Sequence, residues 1–272
     1  MTSPAAFHQP TAWDSVEAGY TDLFAPVLAR YARAAVGLAR PDRDARVLDV
    51  AAGPGTLAFL VAAEVGHVSA LDFSPVMIER LRAEAKGRGL GNVEAVVGDG
   101  QALPYADAEF DAAFSMFGLI FFPDRALGLR ELRRVLRPGG RAVIGSWAPL
   151  DPGTPPVVLS ECLRAALAGP GGPPLELPLA TPEAMHDALA EAGFERIEVS
   201  RVAHEFFAAD VDAFWAVHAR ANVLLAPLLN GMAADARERL AVRVVGDLRD
   251  RLGGGEIRYQ QTALLGLGVR GA

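Results

Sequence analysis

Ten residues limit what this chain can fold into more than any others: Val47-Leu-Asp-Val-Ala-Ala-Gly-Pro-Gly-Thr56. An apolar strand carries Asp49 near its end, runs into a turn of small residues and gives way to a helix pattern. Gly53 and Gly55 allow a backbone to approach a ligand closely. A buried strand followed by such a turn predicts an open α/β sheet with a nucleoside pocket at the strand's carboxyl end.

The rest of the chain keeps that rhythm. Strands are expected at Arg46–Val50, His67–Leu71, Val93–Val97, Asp111–Met116 and Arg141–Trp147. Helical patterns stand between them, with Ser74 as N-cap before Pro75 and Asp124 as N-cap of a helix that Pro138-Gly139-Gly140 ends. Such alternation predicts a doubly wound parallel sheet, Rossmann-like, with helices on both faces. Right-handed crossovers put all the carboxyl ends on one rim. Asp49, Asp72, Asp99 and Ser115 are each expected near that rim, so four strands aim polar groups at one crevice.

Past Trp147 the texture changes. Residues 148–180 are rich in Pro and Gly and read as an insertion with one helix, Val157–Leu167. A helix opening at Thr181-Pro182-Glu183 and ending at Gly193, a strand Phe194–Phe206 and a last strand Glu256–Val269 are expected to complete the sheet within 181–272. Between those strands, two helices broken near Pro227–Gly231 are expected to form a cap at about 207–252, a lid over the pocket.

Composition narrows the function. The chain has 272 residues, 51% of them hydrophobic, and a net charge of −7. No basic tract is available for a phosphate backbone, so nucleic acid is not an expected partner. A single cysteine, Cys162, excludes an internal disulfide and a cysteine-based zinc site. The N-terminal region lacks the pattern of a signal peptide, and the apolar stretch near 57–65 is too short to span a membrane. A cytoplasmic protein, monomer or homodimer, is expected.

The turn itself selects the cofactor. A dinucleotide fingerprint reads G-x-G-x-x-G and cradles a pyrophosphate. Here the small residues Ala51, Gly53 and Gly55 are spaced two and two, and Asp49 precedes them. A carboxylate there repels a pyrophosphate and attracts a cationic amine. S-adenosyl-L-methionine, a nucleoside with a sulfonium and an amino-acid tail, fits; a nicotinamide dehydrogenase does not. Asp72, followed by Phe73, stands seventeen residues past Gly55, close to the ~20 typical of a ribose-binding carboxylate. In Gly98-Asp99-Gly100-Gln101-Ala102-Leu103-Pro104, Asp99 can accept the exocyclic amine of adenine.

These motifs resemble those of class I S-adenosylmethionine-dependent methyltransferases, in particular the small-molecule group related to the ubiquinone and menaquinone C-methyltransferases. The resemblance covers about residues 10–147. It rests on Val47–Thr56, Leu71-Asp72-Phe73-Ser74, Gly98–Pro104, Phe110-Asp111-Ala112-Ala113-Phe114 and Leu136-Arg137-Pro138-Gly139-Gly140. Ala51 stands where relatives carry the first glycine, and Gly100 where many carry alanine. The resemblance implies a seven-stranded sheet of order 3-2-1-4-5-7-6 with the last strand antiparallel and with helical lid insertions. It implies a cofactor core at 41–147 and an N-terminal helical lid at 1–40 that includes Trp13 and Tyr20. It also implies that Met116 and Phe117 approach the methionine end of the cofactor.

Methyl transfer from a sulfonium requires alignment and exclusion of water more than it requires a base. No metal is expected. Where the acceptor needs deprotonation, His218 on a cap helix is the candidate base, with His204 and His8 behind it. The apolar rim Ser115-Met116-Phe117-Gly118-Leu119-Ile120-Phe121-Phe122 favours a small lipophilic or aromatic acceptor, methylated at oxygen or carbon. The same motifs also suit a protein that binds the cofactor without transferring methyl, either a cyclase-like catalyst or a regulatory binder.

Overall fold

The computed structural model describes residues 8–167 and 177–272. The first seven residues of the expected lid and the Gly169–Pro174 part of the expected insertion lie outside these described residues. Seven strands form one sheet: β1 (Arg46–Val50), β2 (His67–Asp72), β3 (Val93–Val97), β4 (Phe110–Met116), β5 (Leu136–Trp147), β6 (Phe194–Ala208) and β7 (Ile257–Arg270). Their order is β3-β2-β1-β4-β5-β7-β6, as the resemblance implied. β1 to β5 run parallel, and β7 enters antiparallel to both β5 and β6. Val47, Leu48 and Val50 are fully buried, as a parallel strand covered on both faces requires.

The N-terminal segment comprises α1 (Pro10–Asp14), α2 (Glu17–Gly19), a π-helical turn at Tyr20–Phe24 and α3 (Ala25–Ala39). α4 (Thr56–Val61), α5 (Pro75–Gly87) and α6 (Arg125–Val135) follow between the parallel strands. Further on come α7 (Pro155–Ala166), α8 (Pro182–Glu191), α9 (Val211–Ala221), α10 (Leu225–Asn230) and α11 (Ala234–Leu252). Alternate residues of each strand point to opposite faces, so Val47 belongs to the core on one face, together with Tyr31 and Ala35 of α3 and Leu57 and Val61 of α4. Leu48 belongs to the core on the other face, which also takes in Leu129 and Leu132 of α6 and Met185 and Leu189 of α8. A third core is built by α7, α9, α10 and α11 around Val158, Phe214, Leu229, Val244 and Leu248, and takes in Ile257 at the start of β7. Among the described residues, no helix is long and apolar enough to cross a membrane.

Several boundaries differ from expectation. α6 ends at Val135, and Leu136 turns extended and pairs with Phe110. Arg137, the residue before Pro138, is sterically barred from helical geometry, so the helix stops ahead of Pro-Gly-Gly instead of at it. The cap carries three helices, not two. Asn222 accepts the N–H groups of Leu224 and Leu225 at 2.9 and 3.1 Å and separates α9 from α10. α7 from the insertion shares the cap's core, so insertion and cap are one helical layer.

Candidate active site

The strand ends converge as their parallel arrangement dictates. A cleft of about 200 Å³ opens at the carboxyl rim and is lined from Tyr20, Ala51, Gly53, Asp72, Asp99 and Met116, among others. A smaller chamber of about 40 Å³ adds Asp49, Leu28 and Leu57, and shares Tyr20, Ala51, Gly53, Met116 and Phe117 with the cleft. Phe73 and Gly100 also line the cleft.

Asp72 holds the turn together. Its Oδ2 accepts the Gly53 N–H at 2.8 Å and its Oδ1 accepts the Ser74 N–H at 2.9 Å. Each oxygen keeps a further lone pair for a hydroxyl in the cleft. Burial raises this carboxyl to about 6, against the pull of the Ser74, Gly53 and Phe73 N–H groups and with help from Asp14. Asp49 differs. It is 2% exposed and its Oδ2 has no hydrogen-bond partner. Burial pushes it up to about 8; an Ala58 N–H opposes the shift and Asp72 adds to it. The half-buried Tyr20 phenol is also raised, by burial first and then by Asp72 and Asp49. Asp99 lies exposed at the mouth, where its Oδ1 accepts the Gln101 N–H at 2.8 Å. Gln101 in turn accepts the Asp124 N–H at the start of α6.

Gly55 does not line either space. It stands at φ 95° as the N-cap of α4, and a Cβ there would lie 2.7 Å from the Phe59 ring and 2.9 Å from Leu81. Its role is to let the turn pack against α4 and α5. A Cβ at Gly100 would overlap the Phe122 ring. Ser115 is fully buried with an unpartnered Oγ but is not part of either wall. Ala51 and Phe117 both adopt left-handed backbone, at φ 58° and 63°. Each costs about 1 kcal/mol at a non-glycine residue, a strain typical of sites that position something. Phe117 is held there by Trp147, stacked at 3.9 Å.

His218 is not in the cleft. It is 7% exposed, its Nδ1–H donates to the Phe214 carbonyl at 2.9 Å, and its ring faces Phe24 and Phe214. Burial holds its pKa down, against that hydrogen bond. No described residue past Pro123 lines the cleft, so the cap at 207–252 is not the pocket's wall. The N-terminal segment is. Trp13 meets Phe121 edge-on at 5.0 Å across the mouth. Two residues that sequence patterns do not single out complete the closure. The Ser74 hydroxyl donates to Asp14 on α1 at 2.5 Å, and Glu17 pairs with Arg80 at 3.8 Å.

Comparison with known proteins gives the same picture. Residues 47–140 match the model of a methyltransferase domain. A demethylmenaquinone methyltransferase from Thermus thermophilus is 35% identical over 179 residues, covering 61% of this chain and 81% of that protein. Further relatives match over 37–51% of their own length. Among solved structures, the YcgJ protein of Bacillus subtilis superposes with a TM-score of 0.59 at 20% identity, covering 88% of this chain and 99% of its own. A phosphoethanolamine N-methyltransferase of Haemonchus contortus, solved with S-adenosyl-L-methionine, gives 0.59 at 16% identity, over 100% of this chain and 61% of its own. The chain belongs to the class I S-adenosylmethionine-dependent methyltransferases of the menaquinone and ubiquinone type.

Proposed function

We propose that the protein transfers a methyl group from S-adenosylmethionine to a small aromatic or lipophilic acceptor, at oxygen or carbon. The observation that carries this reading is the buried, unpartnered Asp49 Oδ2 beside a cleft walled by Trp13, Phe73, Met116, Phe117 and Phe122. A buried carboxylate oxygen without a partner is costly and calls for a cation. On this reading Asp49 receives the charged amino group of the methionine tail. Asp72 offers its remaining lone pairs to the ribose hydroxyls and Asp99 takes the adenine amine, with the Phe122 ring behind Gly100. When bound, the cofactor supplies a methyl group already activated by the sulfonium charge. The chain's own part is to hold, align and dry the reacting groups. Residues 1–40 act as lid, 41–147 as cofactor core, 148–180 as insertion, and 181–272 complete the sheet and carry the cap.

The name of the Thermus relative points to a quinone-type ring as acceptor, and the aromatic walls support it. The test incubates the protein with methyl-labelled S-adenosylmethionine and a panel of phenols, reduced naphthoquinones and polyketides. Label in one of these, with S-adenosylhomocysteine released in equal amount, is the expected result. Tight S-adenosylhomocysteine binding with no labelled acceptor would leave a binding protein and overturn methyl transfer.

A further inference from the structure

Removing His218 from the catalytic inventory leaves a buried histidine to be explained, and its neighbours explain it. The lid meets α9 along one seam. A Cβ at Gly19 would overlap the Arg220 carbonyl oxygen and lie 2.7 Å from its carbon and 3.3 Å from the Ala221 Cα. Those are backbone atoms that cannot give way, so only glycine lets the lid lie this close. From the seam a run of rings leads to the cleft. His218 meets Phe24 edge-on at 6.1 Å, Phe24 meets Tyr20 at 6.1 Å, and Tyr20 meets Trp13 at 6.3 Å.

α9 is a firm support. Asp210 caps it by accepting the Ala213 N–H at 2.8 Å, and Val211 and Phe214 are rooted in the cap's own core. The His218 ring is locked by its bond to the Phe214 carbonyl and by the Phe214 ring at 4.3 Å. The ion pair Asp22–Arg220 at 3.8 Å is exposed on both sides and contributes little.

We propose that the cap is the wall on which the lid seats, with Gly19, Phe24 and His218 as positioning residues that place Tyr20 and Trp13 over the cofactor. The cap thus serves the reaction without touching the cleft. This rests on the cleft being the cofactor site. The probe is S-adenosylhomocysteine, its affinity measured by calorimetry, with hydrogen exchange followed at residues 10–24 and melting temperature recorded without ligand. Gly19→Ala is expected to weaken binding at least tenfold and to leave the lid exchanging fast at saturating ligand, while residues 211–221 stay protected. His218→Ala is expected to weaken binding similarly, and His218→Phe, which keeps a ring against Phe24, to recover most of the affinity. A Gly19→Ala protein with wild-type affinity and a protected lid would overturn the proposal. So would a His218→Phe protein as impaired as His218→Ala. Should Gly19→Ala fail to fold, Phe24→Ala reads the same seam under the same criteria. Asp49→Asn keeps the two readings apart: unchanged affinity there defeats the cofactor assignment, whereas the seam stands or falls on lid exchange.

Discussion

Asp49 carries two opposed demands. Its carboxyl is raised from 3.8 to about 8 by burial, so the ligand-free fold favours the protonated form while the proposed ligand requires the ionised one. The folded state holds this proton more tightly than the unfolded chain. Its contribution is therefore fully present below about pH 4 and is lost as pH rises towards 8. Asp72, raised to about 6, adds to the same trend over a narrower window. Asp49→Asn should raise the ligand-free melting temperature at pH 8 and weaken S-adenosylhomocysteine binding by about 1.5–3 kcal/mol. Thermal melts and calorimetry on one preparation check both signs, and a variant neither more stable nor weaker in binding would contradict the assignment. In the wild type, affinity should climb between pH 6 and 8. Calorimetry at pH 7 in buffers of different ionisation enthalpy should show a proton released on binding. A second residue-scale expectation concerns Ala51, at φ 58°. Ala51→Gly relieves that strain and should change stability by no more than about 1 kcal/mol, towards stabilisation, read from urea unfolding.

Two helices with the same kind of cap stand in different places. Ser74 caps α5 by accepting the Met77 N–H, and Thr181 caps α8 by accepting the Ala184 N–H, each at 3.1 Å. Loss of either hydroxyl should cost about 1 kcal/mol. Only Ser74→Ala also frees Asp14, so it alone should weaken S-adenosylhomocysteine binding; equal affinities in the two variants would show that the α1 contact is idle. Both caps were legible, because Ser-Pro and Thr-Pro before an apolar period are local signals. So were the parallel strands and the carboxylates at their ends. The end of α6 was not, since Pro-Gly-Gly marks a stop without saying which side of it the helix yields. Nor was the α1–α5 contact, because Asp14 and Ser74 are sixty residues apart and no period links them. His218 was misplaced for a related reason. An amphipathic helix announces that it has a buried face, but not what that face meets, and α9 buries His218 against the lid and its own core.

At the scale of the molecule, two sheet-face cores and a cap core joined to the sheet through Ile257 divide the labour. The cleft draws its walls from residues 8–123, and α9 packs on the N-terminal segment from outside. Val244 and Leu248 are fully buried in the cap core. Leu248→Ala should destabilise the cap by about 2–5 kcal/mol. Hydrogen exchange should then show α9 and α11 opening at lower denaturant than β1 and β4, and uniform loss of protection would deny the cap any independence. Strand order was legible only through family resemblance, because the pairing of β7 with β5 joins residues more than a hundred positions apart.

The placement of β7 between β5 and β6 also sets an order in time. During synthesis β1 to β5 and the lid emerge first, so every group that lines the cleft is present before α9 exists. β5 is then the open edge and β6 has no strand to pair with until β7 fills the slot between them, and only then do both partners of β7 share one sheet. A nascent chain thus holds every residue of its cleft well before it holds the helix that packs behind Gly19.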